Sequence, residues 1–211
     1  MDHRRLLLGD WNPVVRDGID LLRLALGVGA IAFLALGDRR AALVAGVFFA
    51  LTLLGRLVSL PRLYDLSFVL GMSVQGWGEA LGAFDAIPWF DNAVHVLVPM
   101  LTAPVLYLGL ARLDVLPDPK DETRTGHYVG IFVVALCLGL AIGAVWEIVE
   151  WSSDGLVGSN LSEGNTDTVT DLIADGSGSL VGAALLVVWA RHGWGSVRRI
   201  PGENRFEDVD A

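Results

Sequence analysis

One cysteine, few charged residues and a shortage of bases set the first limits on this chain of 211 residues. Cys137 has no second cysteine with which to close an intrachain disulfide, and its place in an apolar run fits a buried, inert thiol. Lys and Arg number 15 against 24 Asp and Glu, for a formal net charge of -9. Phosphate backbones require a basic face, so no nucleic-acid partner is expected and a cation is the more natural guest. No cleavable leader is expected, since Arg4-Arg5 opens a short apolar run that Gly9-Asp10-Trp11-Asn12-Pro13 interrupts, and the first span is expected to serve as an uncleaved insertion signal. No internal repeat is evident, so the inverted-repeat signature common among secondary carriers is lacking.

What the chain does have is apolar length. It is 53% hydrophobic and 18% charged with a mean hydropathy of +0.54, too apolar for a soluble domain of this size. The fold class expected is an all-α membrane protein, a bundle of about six transmembrane helices at 19–37, 41–60, 63–84, 92–112, 128–151 and 168–190. Asp65, Gln75 and Glu79 make the third the weakest span. Three regions follow: an N-terminal segment 1–18, a transmembrane domain 19–191 and a polar, flexible tail 192–211. Asn160-Leu161-Ser162 matches a glycosylation acceptor, a weak three-residue signal.

Orientation follows from the bases flanking the spans. Arg4, Arg5, Arg16, Arg56, Arg62, Arg112, Lys120, Arg124, Arg191, Arg198, Arg199 and Arg205 fall on one side, against Arg39 and Arg40 on the other. Both termini are therefore expected in the cytoplasm, with the chain multi-pass in a bacterial or archaeal cytoplasmic (inner) membrane and membrane lipids as its surroundings. Trp77, Trp89, Trp146 and Trp151 then fall near the outer interface, and Trp11, Trp189 and Trp194 near the inner one, as an aromatic belt requires. Arg23, inside the first span, is expected to snorkel to the cytoplasm, and Asp65 to pair with Arg62 or Arg23. The connection 113–126, with Pro117, Pro119 and mixed charges, reads as a solvated loop.

Within this topology the ionisable residues of spans three to six gather in one layer near the outer ends. Asp91 and His95 are i, i+4; Glu147 and Glu150 are i, i+3; Asp167, Asp171 and Asp175 step by four, and Gln75 and Glu79 reach the same level. Gly139 and Gly143 continue the Glu147 stripe, and Gly178 and Gly182 continue that of Asp175, so the acids lie on faces that pack closely against neighbouring helices. Holding such carboxylates ionised costs several kcal/mol each unless a proton, a cation or water compensates. Oxygen donors with one imidazole suit a divalent metal ion such as Mg, Mn, Ca, Zn or Fe. The candidate metal ligands are Asp91, His95, Glu147, Glu150, Asp167, Asp171 and Asp175, and Glu147, Glu150 and His95 are the candidate catalytic groups. Plainer roles stand beside these. Asp91 and Asp167 are placed to be helix N-caps, Glu150 beside Trp151 to be a solvated helix end, and His95 to be a hydrogen-bonded packing residue.

The ordered set Phe90-Asp91-Asn92-Ala93-Val94-His95, then Trp146-Glu147-Ile148-Val149-Glu150-Trp151, then Asp167-Thr168 with Asp171 and Asp175, resembles the YjdF-like family of uncharacterised bacterial integral inner-membrane proteins. The likeness covers about residues 64 to 186, including Tyr64-Asp65. It implies a multi-spanning membrane protein whose motif residues fall on the seven candidate ligands above. Val169 and Thr170 depart from the glycine- and tryptophan-rich form of the third motif.

Three functional classes fit these features. The first is a metal-dependent hydrolase or transferase whose outward-facing site acts on lipid-linked or envelope substrates. The second is a cation- or proton-coupled carrier, against which stand the apolar inner halves of spans four to six. The third is a non-catalytic membrane scaffold.

Overall fold

The computed structural model describes residues 15–58, 60–120, 124–158 and 164–192. Among these, all regular secondary structure is helical: α1 (Gly18–Ala35), α2 (Arg39–Leu57), α3 (Arg62–Ala80), the single turn α4 (Ala83–Ala86), α5 (Phe90–Arg112), α6 (Thr125–Val157) and α7 (Asn165–His192). Five of them, α1, α2, α5, α6 and α7, are long and apolar enough to cross a membrane. The sixth long helix, α3, has 19 residues but carries Arg62, Asp65 and Glu79, and it packs inside the bundle against α1, α2 and α5. The flanking bases Arg4, Arg5, Arg198, Arg199 and Arg205, Trp11, Trp194, the sequon at 160–162 and most of the expected tail lie outside the described residues.

Local chemistry sets the helix ends. The Asp17 side chain caps α1 by accepting from the Ile19 N–H at 2.9 Å, and Asp38 caps α2 through the Ala41 N–H at 3.0 Å. Gly82, with φ of 71°, takes the left-handed conformation that ends α3 four residues short of the limit expected from sequence. α6 instead runs six residues past its expected end at 151, to Val157. Glu150 is thus not a solvated terminus.

Helices α5, α6 and α7 form one half of the bundle and α1, α2 and α3 the other, joined by α3 against α5. Close approach in the first half depends on glycine. A Cβ on Gly178 would strike the Val96 carbonyl of α5, and one on Gly182 the Met100 carbonyl. Pro104 has no N–H to offer Met100, so the Gly182 backbone comes up to a carbonyl that α5 itself leaves open. Ser67 of α3 donates to the Leu101 carbonyl at 2.6 Å and Thr102 to that of Val98 at 2.7 Å, so side chains meet further backbone acceptors in this proline-bearing stretch.

Several sequence expectations are corrected here. Arg23 does not snorkel. It is buried at 2% exposure, donating to Asp20 at 2.6 Å, to the Thr52 carbonyl at 3.1 Å and to Asp65. Arg16 and Arg56 also turn inward to Asp20; of the two partners expected for Asp65, Arg23 is the one that binds it, Arg62 pairing with Asp17. Burial makes this pairing obligatory, since an unmatched guanidinium would be far costlier in the interior than at the surface. Trp189 is a core residue stacked edge-on against Tyr64 at 5.0 Å, and Trp77 fills the space beside Gly29; neither is an interface anchor, whereas Trp89 and Trp151 are exposed. The 113–126 connection is only partly solvated: Pro119 is buried, and Lys120 donates to the Trp189 carbonyl at the end of α7 at 2.6 Å. Cys137 is exposed on the helix surface, where an apolar thiol can face lipid.

Candidate metal site at one end of the bundle

The starts of α5 and α7 and the last third of α6 meet at the same end. Register shows it: Gly139 and Gly143 of α6 lie against Ser179 and Asp175 of α7, while Gly178 and Gly182 of α7 lie against Val96 and Met100 of α5. Gly71 and Gly78 of α3 lie against Thr102 and Phe90, which brings the end of α3 to this level too. The Arg16–Asp20–Arg23–Arg56–Asp65 network sits where α3 begins, at the opposite end of the bundle.

His95 is the centre of the site. It is buried, with Nδ1 3.1 Å from Asp175 Oδ1 and Nε2 3.6 Å from Asp91 Oδ1. Asp175 is 1% exposed, and the Asp91 side chain retains 38%. Asp91, His95 and Asp171 each offer one ligand atom, all within 4.8 Å of one another. Donors on one small tetrahedral ion stand about 3.4 Å apart, so closure by up to about 1.4 Å would complete a three-residue set. With Nδ1 engaged by Asp175, Nε2 is the nitrogen turned to that set. A carboxylate on the far nitrogen is the arrangement that fixes ring orientation and tautomer in histidine metal sites.

The other candidates have distinct places. Glu147 is buried at 7% exposure, its Oε1 meets no partner among the described residues, and the Thr168 hydroxyl bonds its carboxylate. Glu150, partly buried, accepts from Trp146 Nε1 at 2.7 Å through Oε1. Asp167 lies in the first turn of α7 at intermediate exposure. Neither Asp91 nor Asp167 occupies a cap position: Trp89 precedes α5 without a side-chain cap bond, and both acids lie inside their first turns, where carboxylates favour the positive helix end. Glu79 leaves the acid layer altogether, being paired with Arg40 at the surface. Gln75 is buried, and its Nε2 meets no partner among the described residues.

No Lys or Arg occurs between Arg124 and Arg191 or between Arg62 and Arg112. The strongest electrostatic neighbours of Glu147, Glu150 and Asp171 are accordingly other carboxylates and His95. Sequence spacing alone does not reveal that Asp175 and Asp91 bracket one imidazole, nor that Ser179 continues the Asp175 face with a fully buried hydroxyl that meets no partner among the described residues. The i, i+4 step from Asp175 to Ser179 was the available signal.

Fold and site together define a helical membrane protein with a buried Asp/His/Asp cluster at one end of its bundle. The chain belongs to the family described as "Predicted membrane protein (DUF2238)", whose model matches residues 21–192. No curated protein and no solved structure matches it.

Proposed function

We propose that the protein binds a divalent metal ion through Asp91, His95 and Asp171, with Asp175 holding the imidazole, and that this site performs hydrolysis or group transfer on a lipid-linked or envelope substrate. The observation that carries the reading is His95, buried and flanked by a carboxylate at each ring nitrogen, on helices whose neighbouring stretches contain no Lys or Arg. Repulsion among those carboxylates favours a cation, and a cation there would activate a bound water or polarise a phosphoryl or acyl oxygen. One neighbouring carboxylate serves as general base. Asp91, the most exposed ligand, gives the site its opening. The excess of flanking bases on the other side supports an outward-facing site in a cytoplasmic membrane, and the motif order supports a YjdF-like assignment within the family.

Metal analysis of the detergent-purified full chain tests this. Stoichiometric metal in the wild type, lost in His95→Ala and Asp171→Asn proteins that keep their melting temperature, is the expected result. A well-folded wild type that binds none of Mg, Mn, Zn, Ca or Fe overturns it. The carrier reading has less support, because the ionisable groups of α5, α6 and α7 cluster at this end and not along a path through the helices.

A further inference from the structure

We propose that a second, hard divalent cation binds between α6 and α7, held by Glu147 and Asp175. This rests on the metal reading above and adds to it a site on the other side of His95 from the Asp91 and Asp171 ligands.

The first support is hydrogen bonding. Two carboxylate oxygens, Glu147 Oε1 and Asp175 Oδ2, are buried and have no partner among the described residues. Buried acceptors are nearly always satisfied, so two unsatisfied ones on facing helices call for a bound water or ion. Asp175 divides its two oxygens: Oδ1 meets His95 Nδ1, while Oδ2 points at α6 and lies against Gly143.

The second support is register. α6 and α7 run antiparallel, with Gly139 against Ser179 and Gly143 against Asp175. Glu147 is one turn above Gly143 on the same stripe of α6, so its carboxylate stands directly above the Asp175 oxygen that faces that helix. Asp175 is among the groups acting most strongly on Glu147, as are His95 and Asp167. The two open oxygens thus belong to facing stripes of α6 and α7 at neighbouring levels, with Thr168 beside Glu147.

Charge decides between water and ion. A water could donate to both oxygens but would leave their negative charge in place, and residues 125–190 contain no Lys or Arg to offset it, His95 being shared with Asp91 on its other nitrogen. A cation does both. The donors on offer are carboxylate and hydroxyl oxygens without nitrogen or sulfur, which suits Mg2+ or Mn2+ keeping several waters and binding protein through one or two carboxylates.

The test is equilibrium dialysis of the chelator-stripped, detergent-purified full chain against Mn2+, with bound Mn2+ counted per chain. The wild type is expected to take up two equivalents, and Glu147→Gln one, the retained equivalent also showing that the variant is folded. One equivalent in the wild type, as a bridging water would give, overturns the second site and leaves the first standing. Two equivalents retained in Glu147→Gln also overturn it. No Mn2+ bound by the wild type overturns both readings. Should Glu147→Gln fail to fold, the wild-type count and a Ser179→Ala protein, which leaves both carboxylates in place and is expected to keep two equivalents, decide the matter: a count of one in either overturns the second site.

Discussion

The carboxylate of Asp175 occupies the space that a side chain at Gly143 would need. A Cβ added at 143 would overlap the Asp175 Cβ, Cγ and Oδ2 at once, and these atoms belong to a buried residue pinned on its other side by His95. Gly143→Ala therefore has to push Asp175 away from the imidazole it orients. Outer partners of this kind are typically worth about 10- to 100-fold in metal affinity, and that is the loss expected for Gly143→Ala in a metal titration. Gly130→Ala, on the same helix where an added Cβ meets nothing within 4 Å, should leave affinity unchanged.

Contact between α5 and α7 depends on glycine in a different way. At Gly178 the obstacle is the backbone carbonyl of Val96, which cannot rotate aside as a side chain would. Gly178→Ala must separate the two helices, and overpacking of this sort costs about 1–3 kcal/mol. Thermal unfolding in detergent should show the loss. Gly176→Ala, whose nearest neighbour is the flexible end of Leu140 at 3.2 Å, should lose much less.

These glycines explain how much of the site was legible in the sequence. Acids and glycines spaced by four on α6 and α7 specify which faces meet, because helical periodicity and close approach leave little choice. The pairing of Asp175 with His95 is eighty residues apart in the chain and depends on a register that no local pattern encodes. The charge network of α1, α2 and α3 was less legible still. Asp20 and Arg23 stand i, i+3 on one face, a signal available from spacing, yet Arg23 on an apolar helix looks like a residue that reaches for water. Only the tertiary position of Asp65 and Arg56 turns it inward. Glu79 sat with the acids by position and was removed by Arg40, from the start of the preceding helix.

Lys120 ties the loop after α5 to the end of α7. Its ammonium donates to the Trp189 carbonyl at 2.6 Å and lies 4.1 Å from the centre of the Trp189 ring, meeting acceptors that the helix end leaves open. Lys120→Met keeps the apolar stem and removes the charge, and should lower stability by about 1–3 kcal/mol, read as a fall in melting temperature. Burial holds the Lys120 amine below its ordinary value, with Asp118 opposing the shift. The folded state thus binds fewer protons at this position than the unfolded state. The Lys120 contribution should make the wild type gain stability relative to Lys120→Met as pH rises from the lowered folded pKa towards the ordinary lysine value.

Asp20 is the residue on which the opposite end of the bundle turns. Its two oxygens are divided between Arg23 at 2.6 Å and Arg56 at 3.0 Å, and the Arg16 backbone N–H adds a third bond at 2.9 Å. Asp20→Asn keeps the shape and removes the charge, so Arg23 and Arg56 stay buried while Asp65 becomes the remaining carboxylate of the network. Breaking a buried ion pair by neutralising one partner costs about 3–5 kcal/mol, because the surviving charge cannot reach water. Arg62 and Asp17 make the natural comparison: Arg62 is mostly exposed, and Asp17→Asn should cost about 1 kcal/mol or less through that pair. Unfolding of the two variants side by side in the same detergent should therefore separate them by several degrees, with Asp20→Asn the lower. If the two unfold together, Arg23 and Arg56 have found water, and the network is not the buried junction that its distances describe.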